Sequence, residues 1–372
     1  MNHPAITNTM FQRGKVSLGN TARIHKLIEK LRLKRKIVYG AVGGSITEGA
    51  GATCQELRYV EQFAAWLREH YRNPGVEVVN AGIGASNSLF GAFRVEKDLL
   101  SHAPDLITVE YAVNDTTNPD TAASYEALLR KCLELSSDTA VILISTMNYL
   151  GENKQHLHIP SGIHYHLPMI SYRDAVYPEV SAGQIAWSDI SPDTVHPNDP
   201  GHTLIKDMLV MLMQELETAP AAAPFPLPGH LNSGAAGYER VRIVDANDME
   251  ILYQSGWQTG PHKGGYTGWQ TNDRTARLEV RFSGRYIAIG CKQYSGDFGR
   301  AVVTIDDRPP VMLEGYFEKL PNNTWAGGHT VLTVLAGDLP AGSHLLRVQM
   351  LPERHPDSNG HEFDIGYLLL AE

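Results

Sequence analysis

The sequence predicts two domains, an α/β domain built on a parallel sheet and, after it, an all-β domain of the jelly-roll or β-sandwich type. Three observations predict this division. Apolar runs with the character of strands alternate with amphipathic helical patterns up to about residue 215. A stretch rich in proline and alanine follows at 218–228, and beyond it the apolar residues recur at period two. We therefore predict domains over 1–217 and 229–372, joined by an extended linker at 218–228.

The overall composition is that of an ordinary soluble protein. The chain has 372 residues, of which 42% are hydrophobic and 20% charged, and this length favours two domains. A net charge of −9 argues against a nucleic-acid partner. No apolar run approaches the roughly 18 residues of a membrane span, and the first 14 residues lack the apolar core of a secretory signal. We expect a cytoplasmic protein that binds neither nucleic acid nor membrane, and a homo-oligomer is compatible with the sequence.

The spacing of apolar residues gives the elements of the first domain. In the stretch 20–33, apolar residues recur three and four positions apart, which predicts a helix. The same criterion predicts helices over 57–71, 89–101, 121–135 and 200–215. Strands are predicted over 37–43, 76–80, 106–111 and 139–146. The last of these is nearly all apolar, as in the centre of a sheet. Strands that alternate with helices give a parallel sheet with helices on both faces.

The first strand ends in the turn Gly43-Gly44-Ser45, which places a serine where open α/β sheets bind their ligands. Such a turn can present a nucleophile, hold a phosphate on backbone N–H groups, or be purely structural. The Gly-x-x-x-x-Gly-Lys pattern of phosphate loops is absent. Nor is this a Gly-x-Ser-x-Gly elbow, because Thr47 stands two residues after Ser45. The turn alone does not decide between a nucleophile and a structural serine.

Polar loops follow other strands at the same predicted edge. The segment 82–87 is rich in glycine, serine and asparagine, and Asn114 follows the strand at 106–111. Before the last helix, Asp193 and His196 lie three residues apart in a loop. A carboxylate at this spacing can orient the imidazole through Nδ1 and leave Nε2 free to accept a proton from a hydroxyl. Beside an exposed serine turn, this pair favours nucleophilic catalysis.

The segment 151–186 lacks apolar periodicity, and we expect a long irregular loop there, with a short strand near 169–172 and a helical turn after it. It contains the histidines His156, His158, His164 and His166. No carboxylate or cysteine stands at a diagnostic ligand spacing with them, so we expect no metal and interpret them as polar groups that line a pocket. The cysteines are Cys54, Cys132 and Cys291. Their wide spacing predicts neither a zinc site nor a disulfide framework.

After the linker, short runs of alternating residues predict strands separated by polar turns. They cover 238–244, 278–282, 286–291, 301–305, 329–335, 344–350 and 363–370. Many short strands of this kind form a β-sandwich or jelly roll. The domain contains the large aromatic residues Trp257, Trp269, Tyr316 and Trp325. They belong to its core or form a face on which a sugar stacks, and a place in the core is the commoner use.

Four blocks of the first domain resemble the SGNH (GDSL-like) hydrolases, a family of esterases. They are the Gly-Gly-Ser-Ile-Thr run around Ser45, the loop Asn80–Ala85, the Ala-Val-Asn-Asp run at Asn114, and Asp193-x-x-His196. The resemblance covers about 37–215, and four blocks in order are far more specific than any one motif. Glycine replaces the family's aspartate before Ser45, and alanine replaces its glycine two residues before Asn114. The family implies a flavodoxin-like, three-layer α/β/α fold.

The resemblance implies a serine esterase that works through an acyl-enzyme and needs no cofactor or metal. Ser45 is then the nucleophile and His196 the base that takes its proton. Asp193 orients His196 and stabilises its cationic form.

The family also implies an oxyanion hole with three donors. These are the N–H of Ser45, a backbone N–H in the second block, and the side-chain amide of Asn114. Aligned from Asn80, the second donor falls on Ala85, with Gly84 as the alternative. Only the N–H is needed, so alanine can serve in place of the family's glycine.

The all-β domain resembles carbohydrate-binding modules, and similar pairings occur among carbohydrate esterases. This implies a small-molecule ester as substrate, with an O-acetyl group on a sugar or oligosaccharide as the expected form. Three alternatives stay open. One is a short-chain ester or thioester hydrolase of non-carbohydrate substrates, and another is a non-catalytic carbohydrate-binding protein on a hydrolase fold. The third is a phosphate- or nucleotide-binding α/β protein, although the lysine signature of that class is absent.

Overall fold

The computed structural model describes residues 4–117, 119–318 and 327–372. Contacts between Cα positions divide the chain into two compact units, Met1–Tyr238 and Glu239–Glu372. The first unit combines helices with a mostly parallel sheet, and the second is built of antiparallel sheets. The predicted fold class is therefore confirmed.

A six-stranded sheet forms the middle layer of the first unit. Its strands are β1 (Lys15–Ser17), β2 (Ile37–Gly43), β3 (Val76–Gly82), β4 (Leu106–Glu110), β5 (Ala140–Ser145) and β6 (Met169–Ser171). Their order is β1-β6-β5-β4-β2-β3, and all neighbours are parallel except β1 with β6. The chain passes from β2 to β3 on one side and then to β4 on the other. The crevice beyond the carboxyl ends of β2 and β4 is the place where such sheets bind ligands.

Helices cover both faces of this sheet. They are α1 (Asn8–Gly14), α2 (Ala22–Arg32), α3 (Ser45–Glu48), α4 (Tyr59–His70), α5 (Ser88–Asp98), α6 (Pro119–Glu134), α7 (Gln155–His164), α8 (Tyr172–Ser181), α9 (Trp187–Ile190) and α10 (Asp199–Thr218). One apolar cluster joins the sheet to α2, α4, α8 and α10, and another joins it to α5 and α6. Because β2 sends Tyr39 and Ala41 into the first cluster and Val42 into the second, the sheet is buried on both sides.

The expectation of an irregular loop over 151–186 is wrong. That segment contains the helices α7 and α8 with the short predicted strand β6 between them. Each of these helices carries an internal proline, Pro160 or Pro178, and α7 also contains Gly162. Proline and glycine are the poorest helix formers, so tertiary packing decides the conformation here against the local signal.

The segment 219–232, called here the proline-rich segment, has no regular secondary structure and lies along the first unit. Thr21 donates to the carbonyl of Pro220 (2.9 Å), and Arg130 donates to that of Pro228 (2.7 Å). A short 3₁₀ helix, Ser233–Tyr238, then packs on α6. The boundary between the compact units therefore follows Tyr238, and residues 229–238 belong with the first unit rather than with the predicted second domain.

The second unit contains two antiparallel sheets. Its strands are β7 (Val241–Val244), β8 (Glu250–Ser255), β9 (Gln258–Pro261), β10 (Thr267–Thr271), β11 (Arg277–Ser283), β12 (Tyr286–Tyr294), β13 (Arg300–Ile305), β14 (Val311–Glu314), β15 (Gly327–Ala336), β16 (Ser343–Met350) and β17 (Phe363–Ala371). One sheet has the order β15-β12-β17-β10-β9, with β7 also paired to β17, and the other has the order β14-β13-β16-β11-β8. A single apolar cluster draws side chains from both sheets, as in a β-sandwich.

Two of the aromatic residues singled out in this unit are core residues. Trp257 and Trp269 are buried in its apolar cluster. Tyr316 is half-buried and stacks on His355 at 4.4 Å between ring centroids. Trp325 lies outside the described residues.

Within the described ranges, no helix combines the length and the apolar character that crossing a membrane requires.

Candidate active site

Ser45 is the first residue of α3, and only Gly44 separates it from the end of β2. Gly43 is in register with Gly82 of β3 on one side and with Glu110 of β4 on the other. The three strand ends therefore lie level, and the loops that follow them meet around Ser45. This is the edge of the sheet that the sequence predicts for the site.

The structure brings the predicted serine, histidine and aspartate into one hydrogen-bonded chain. Ser45 Oγ lies 2.9 Å from Nε2 of His196. Nδ1 of His196 lies 2.7 Å from Oδ2 of Asp193. With the Nδ1–H tautomer, His196 donates to the carboxylate and accepts the hydroxyl proton of Ser45, as a general base must.

The loop 191–198 holds Asp193 and His196 in this arrangement. The second carboxylate oxygen of Asp193 accepts the backbone N–H groups of Val195 and His196, both at 2.7 Å. The buried hydroxyl of Ser191 contacts the carbonyls of Asp193 (2.8 Å) and His196 (2.6 Å), and Trp187 Nε1 donates to the carbonyl of Asp193 (2.5 Å). The position of the carboxylate is thus set by the loop's own backbone.

Asp193 is suited to remain ionised beside the imidazole. Partial burial acts to raise the pKa of Asp193, but the hydrogen bonds from His196 and Val195 outweigh this and hold the pKa below its ordinary value. An ionised Asp193 stabilises the imidazolium that forms when His196 takes a proton.

Asn114 lies against the serine turn. A Cβ on Gly44 would collide with its Nδ2 and would stand 3.3 Å from the carbonyl oxygen of Ser86. Nδ2 of Asn114 donates to that carbonyl at 2.8 Å. A side chain at position 44 would therefore displace the Asn114 amide, because the loops after β3 and β4 approach the turn closely.

Ala85 lies in the loop after β3 with a φ of 57°, in the left-handed region. It is exposed, whereas its neighbours Gly84 and Ser86 are buried. Across the described part of the chain, the N–H groups of Ser45 and Ala85 have no hydrogen-bond acceptor. Free N–H groups at these two positions are what an oxyanion site requires.

A buried pair next to Asn114 was missed from the sequence. Asp115 accepts the N–H of Ser88 at the start of α5 (2.8 Å) and contacts Nε2 of His158 on α7 (2.7 Å). His158 stacks on Tyr125 with ring centroids 3.7 Å apart. Asp115 thereby fastens the loop that carries Asn114 to two helices. Asp115 and His158 are 43 residues apart, and no short motif could have paired them.

Glu110 is a second residue that the sequence analysis missed. It is buried at the end of β4, where its carboxylate accepts the hydroxyl of Thr146 (2.5 Å) and its carbonyl accepts the N–H of Gly44 (3.3 Å). Burial raises the pKa of Glu110 to about 7, although the Thr146 hydrogen bond opposes the shift. A carboxyl group that titrates near neutrality therefore lies directly below the serine turn.

The four histidines of 151–186 do not form a cluster. His156 and His166 are exposed, His164 contacts the carbonyl of Gly229 (2.7 Å), and His158 is buried against Asp115. The interpretation of all four as pocket-lining groups is therefore wrong for His158. In the described residues, no group of three or more histidine, cysteine or acidic side chains is arranged to hold a metal ion.

The arrangement is chemically suited to acyl transfer through a serine nucleophile. It provides a hydroxyl on a general base, a carboxylate that orients the base, and backbone and amide N–H groups beside the nucleophile. Each of the six predicted site residues lies at the same edge of the sheet; they are Ser45, Gly84, Ala85, Asn114, Asp193 and His196.

Comparison with known proteins agrees with this geometry. Residues 41–204 match the model of the GDSL-like lipase/acylhydrolase family. A crystal structure described as a two-domain esterase (CEX) active on acetylated mannans has a TM-score of 0.87 and 25% identity, with 97% of this chain and 98% of that chain covered. The same esterase co-crystallized with mannopentaose gives a TM-score of 0.86 at the same identity and coverage. None of the curated protein sequences matches this chain.

Proposed function

We propose that this chain is an ester hydrolase of the SGNH (GDSL-like) type that removes O-acetyl groups from a sugar or oligosaccharide through an acyl-enzyme on Ser45. The match of residues 41–204 to the GDSL-like lipase/acylhydrolase model and the whole-length likeness to a two-domain esterase support this proposal. The observation that carries the proposal is the continuous hydrogen-bonded chain from Ser45 through His196 to Asp193, with distances of 2.9 and 2.7 Å.

The reaction starts with proton transfer. His196 Nε2 accepts the proton of Ser45 as Oγ attacks the acetyl carbonyl, and Asp193 stabilises the resulting imidazolium. The tetrahedral oxyanion is held by the N–H of Ser45, the N–H of Ala85 and the amide of Asn114. One such donor typically contributes about 10²–10³ in kcat, or roughly 3–4 kcal/mol.

The intermediate collapses when His196 gives its proton to the leaving sugar hydroxyl. Water then attacks the acetyl-enzyme with His196 again as base, and acetate and the free Ser45 hydroxyl are released. Both half-reactions use the same groups, so no cofactor enters the scheme.

The acetylated-carbohydrate substrate is supported by the whole-length likeness to an esterase active on acetylated mannans. That likeness extends over the β unit as well as the hydrolase unit, since 97% of this chain is covered. The Asp193-His196 loop is partly open to solvent, with 48% of the Asp193 side chain and 32% of the His196 side chain exposed. An exposed triad suits an acyl group that projects from a bulky polar carrier.

The first experiment compares wild type with Ser45→Ala and His196→Ala. A fluorophosphonate should add one adduct mass to wild type, and both variants should stay unlabelled while melting at temperatures near that of wild type. Hydrolysis of an aryl acetate should fall by about 10⁴–10⁶ in each variant. Labelling of Ser45→Ala, or near-wild-type turnover by it, would refute the role of Ser45.

The same wild-type preparation tests the substrate. Acetylated manno- and xylo-oligosaccharides should show a higher kcat/KM than an aryl acetate of equal acyl length. If simple esters or thioesters were turned over faster than every acetylated sugar, a non-carbohydrate short-chain acyl hydrolase would replace this proposal.

A further inference from the structure

The guanidinium of Arg94 lies below the serine turn although no motif draws attention to it. Arg94 stands on α5 and its side chain is 0% exposed. Among the described residues, its acidic partner is Asp98, one turn later on the same helix, which accepts from Nη1 at 3.0 Å. Burying a guanidinium is costly, and an apolar side chain of similar size would fill the same space at lower cost. Packing alone therefore does not explain why a charged side chain is buried at this position.

The hydrogen bonds of the Arg94 Nη2 atom offer an explanation. Nη2 donates to the carbonyl of Gly43 (3.1 Å) and to the hydroxyl of Tyr111 (2.9 Å). Gly43 is the last residue of β2 and stands two residues before Ser45. Tyr111 follows β4 directly, and its carbonyl accepts the N–H of Asn114 at 3.1 Å. One nitrogen thus joins the loop of the nucleophile to the loop of the asparagine.

The carbonyl of Gly43 also reaches the third loop. It accepts the N–H of Ile83 at 3.1 Å. The hydroxyl of Ser86 donates to the carbonyl of Ile83 (2.6 Å) and lies 3.4 Å from the Gly43 carbonyl, so Ile83 and Ser86 hold the loop on either side of Ala85. The carbonyl of Ser86 in turn accepts from Asn114. All three loops that carry the oxyanion donors therefore converge on this carbonyl or on its cationic partner.

We propose that Arg94 is a positioning residue for the oxyanion hole: its buried guanidinium fixes the relative places of the Ser45, Ala85 and Asn114 donors through Gly43 and Tyr111. The inference rests on the function proposed above. A cation is suited to this role because a charged donor makes a stronger hydrogen bond to a carbonyl than a neutral one does. Displacing donors by about 1 Å is enough to lower a rate by about 10²-fold.

The test compares Arg94→Lys with Arg23→Lys in the full chain. Arg23 is the matched control, because it too donates to several carbonyls, those of Leu133 (3.2 Å), Ser136 (2.7 Å) and Thr139 (2.9 Å), but at the start of β5, away from the site. The readouts are Tm, kcat and KM for an aryl acetate, and the affinity for a boronic acid, whose tetrahedral adduct occupies the oxyanion site.

Arg94→Lys should lower kcat by about 10–100-fold with KM within threefold of wild type. Its boronate affinity should fall by a similar factor. Arg23→Lys should lower Tm but leave kcat within twofold. Equal kcat values for the two variants, measured well below both Tm values, would overturn the proposal, as would a kcat loss without a loss of boronate affinity.

If Arg94→Lys does not fold, Asp98→Asn provides the second measurement. It keeps the guanidinium but removes the negative charge of its partner at Nη1, and the Asp98 side chain is 18% exposed, which makes the change tolerable. A fall of about three- to tenfold in both kcat and boronate affinity is expected, and no change in either would contradict the role of Arg94. Wild type that fails to label at Ser45 overturns the proposed function and this inference together, whereas labelled wild type with an unaffected Arg94→Lys overturns the inference alone.

Discussion

Ala85 shows how a single backbone angle can limit the choice of residue. Its φ of 57° lies where an L-residue other than glycine is strained, and the alignment from Asn80 predicts that this position, or that of Gly84, is the glycine of the second family block. The direction of the Ala85 N–H depends on this turn and not on the side chain. A preference for glycine at this position is therefore conformational, and alanine keeps the backbone N–H at a cost in stability.

Replacing Ala85 with glycine should stabilise the first unit. The left-handed conformation costs an alanine about 1–2 kcal/mol, while glycine loses about 0.5–1 kcal/mol more chain entropy on folding. The net gain is about 0.5–1 kcal/mol, or roughly 2 °C in Tm for a unit of this size. Differential scanning calorimetry measures the change.

Ala103 is the matched control for this substitution. It is also exposed and has a φ of 50°, but it precedes β4 at the opposite edge of the sheet. Ala103→Gly should raise Tm by a similar amount. A drop in Tm for Ala85→Gly alone would mean that the alanine methyl group makes a stabilising contact, against the strain argument.

The loop before α10 was predicted well from sequence, because its information is local. Asp193 and His196 are three residues apart, and Asn198 caps α10 by accepting the N–H of Gly201 at 3.0 Å. Spacing alone fixes contacts of this range. The helices α7 and α8 were missed for the opposite reason, since their internal prolines and Gly162 contradict a helix locally and only packing against the sheet decides the outcome.

The long-range contacts below the serine turn could not be predicted from the sequence either. Arg94 and Gly43 are 51 residues apart, and Glu110 and Thr146 are 36 apart. No periodicity or motif links such pairs, and they become visible only when strand register is known. Sequence reasoning therefore found the residues proposed to touch substrate and missed those that hold them.

His202 of α10 forms hydrogen bonds with the loop after Ser45 and with the start of α4. Its Nε2 donates to the carbonyl of Ala50 (3.2 Å), and its Nδ1 accepts the N–H of Tyr59 at the start of α4 (3.3 Å). This pair of bonds requires the neutral ring. Burial lowers the pKa of His202 to about 4, and the hydrogen bond to Ala50 opposes the shift only in part.

The stability of the first unit should therefore fall in acid through His202. The unfolded chain takes up a proton on this ring below about pH 6.5, whereas the folded protein does so only near pH 4, so protons favour unfolding in between. The contribution is full above about pH 6.5, and about 3 kcal/mol is lost as the pH falls to 4.

Urea unfolding of wild type and His202→Asn between pH 7 and pH 4 measures this effect. Asparagine can keep one acceptor and one donor but does not titrate. The stability advantage of wild type over His202→Asn should shrink by about 3 kcal/mol across this range, while the other titrating groups cancel in the difference. Parallel curves for the two proteins would show that His202 does not carry the acid sensitivity.

The chain as a whole consists of units with separate cores. The apolar clusters of the first unit draw on residues up to Leu227, and that of the second unit begins at Val244. The six predicted site residues all belong to the first unit. The proline-rich segment completes that unit rather than linking two finished domains, which is why composition alone misplaced the boundary.

The contacts of Glu126 allow the contribution of residues 218–238 to the stability of the first unit to be measured. Its carboxylate is 0% exposed and accepts the N–H of Leu231 (2.6 Å), the N–H of Asn232 (2.7 Å) and the Asn232 side-chain amide (2.6 Å). Tyr165 donates the fourth hydrogen bond at 2.6 Å. A chain that ends at 217 loses three of these four partners, together with the burial of Ala235 and Tyr238.

A fragment of residues 1–238 should fold and hydrolyse an aryl acetate, whereas a fragment of residues 1–217 should be much less stable. Hydrogen bonds to a charged group contribute about 1.5–3 kcal/mol each, and solvation of the freed carboxylate recovers part of that, so a loss of at least roughly 3 kcal/mol is expected for the shorter fragment. The urea midpoints of the two fragments measure the difference in stability directly.

The point variant Glu126→Gln in the 1–238 fragment is the control, because it weakens the same contacts without shortening the chain. Equal midpoints for the two fragments would show that the first domain ends at residue 217. A stable but inactive 1–238 fragment would show that hydrolysis requires the second unit.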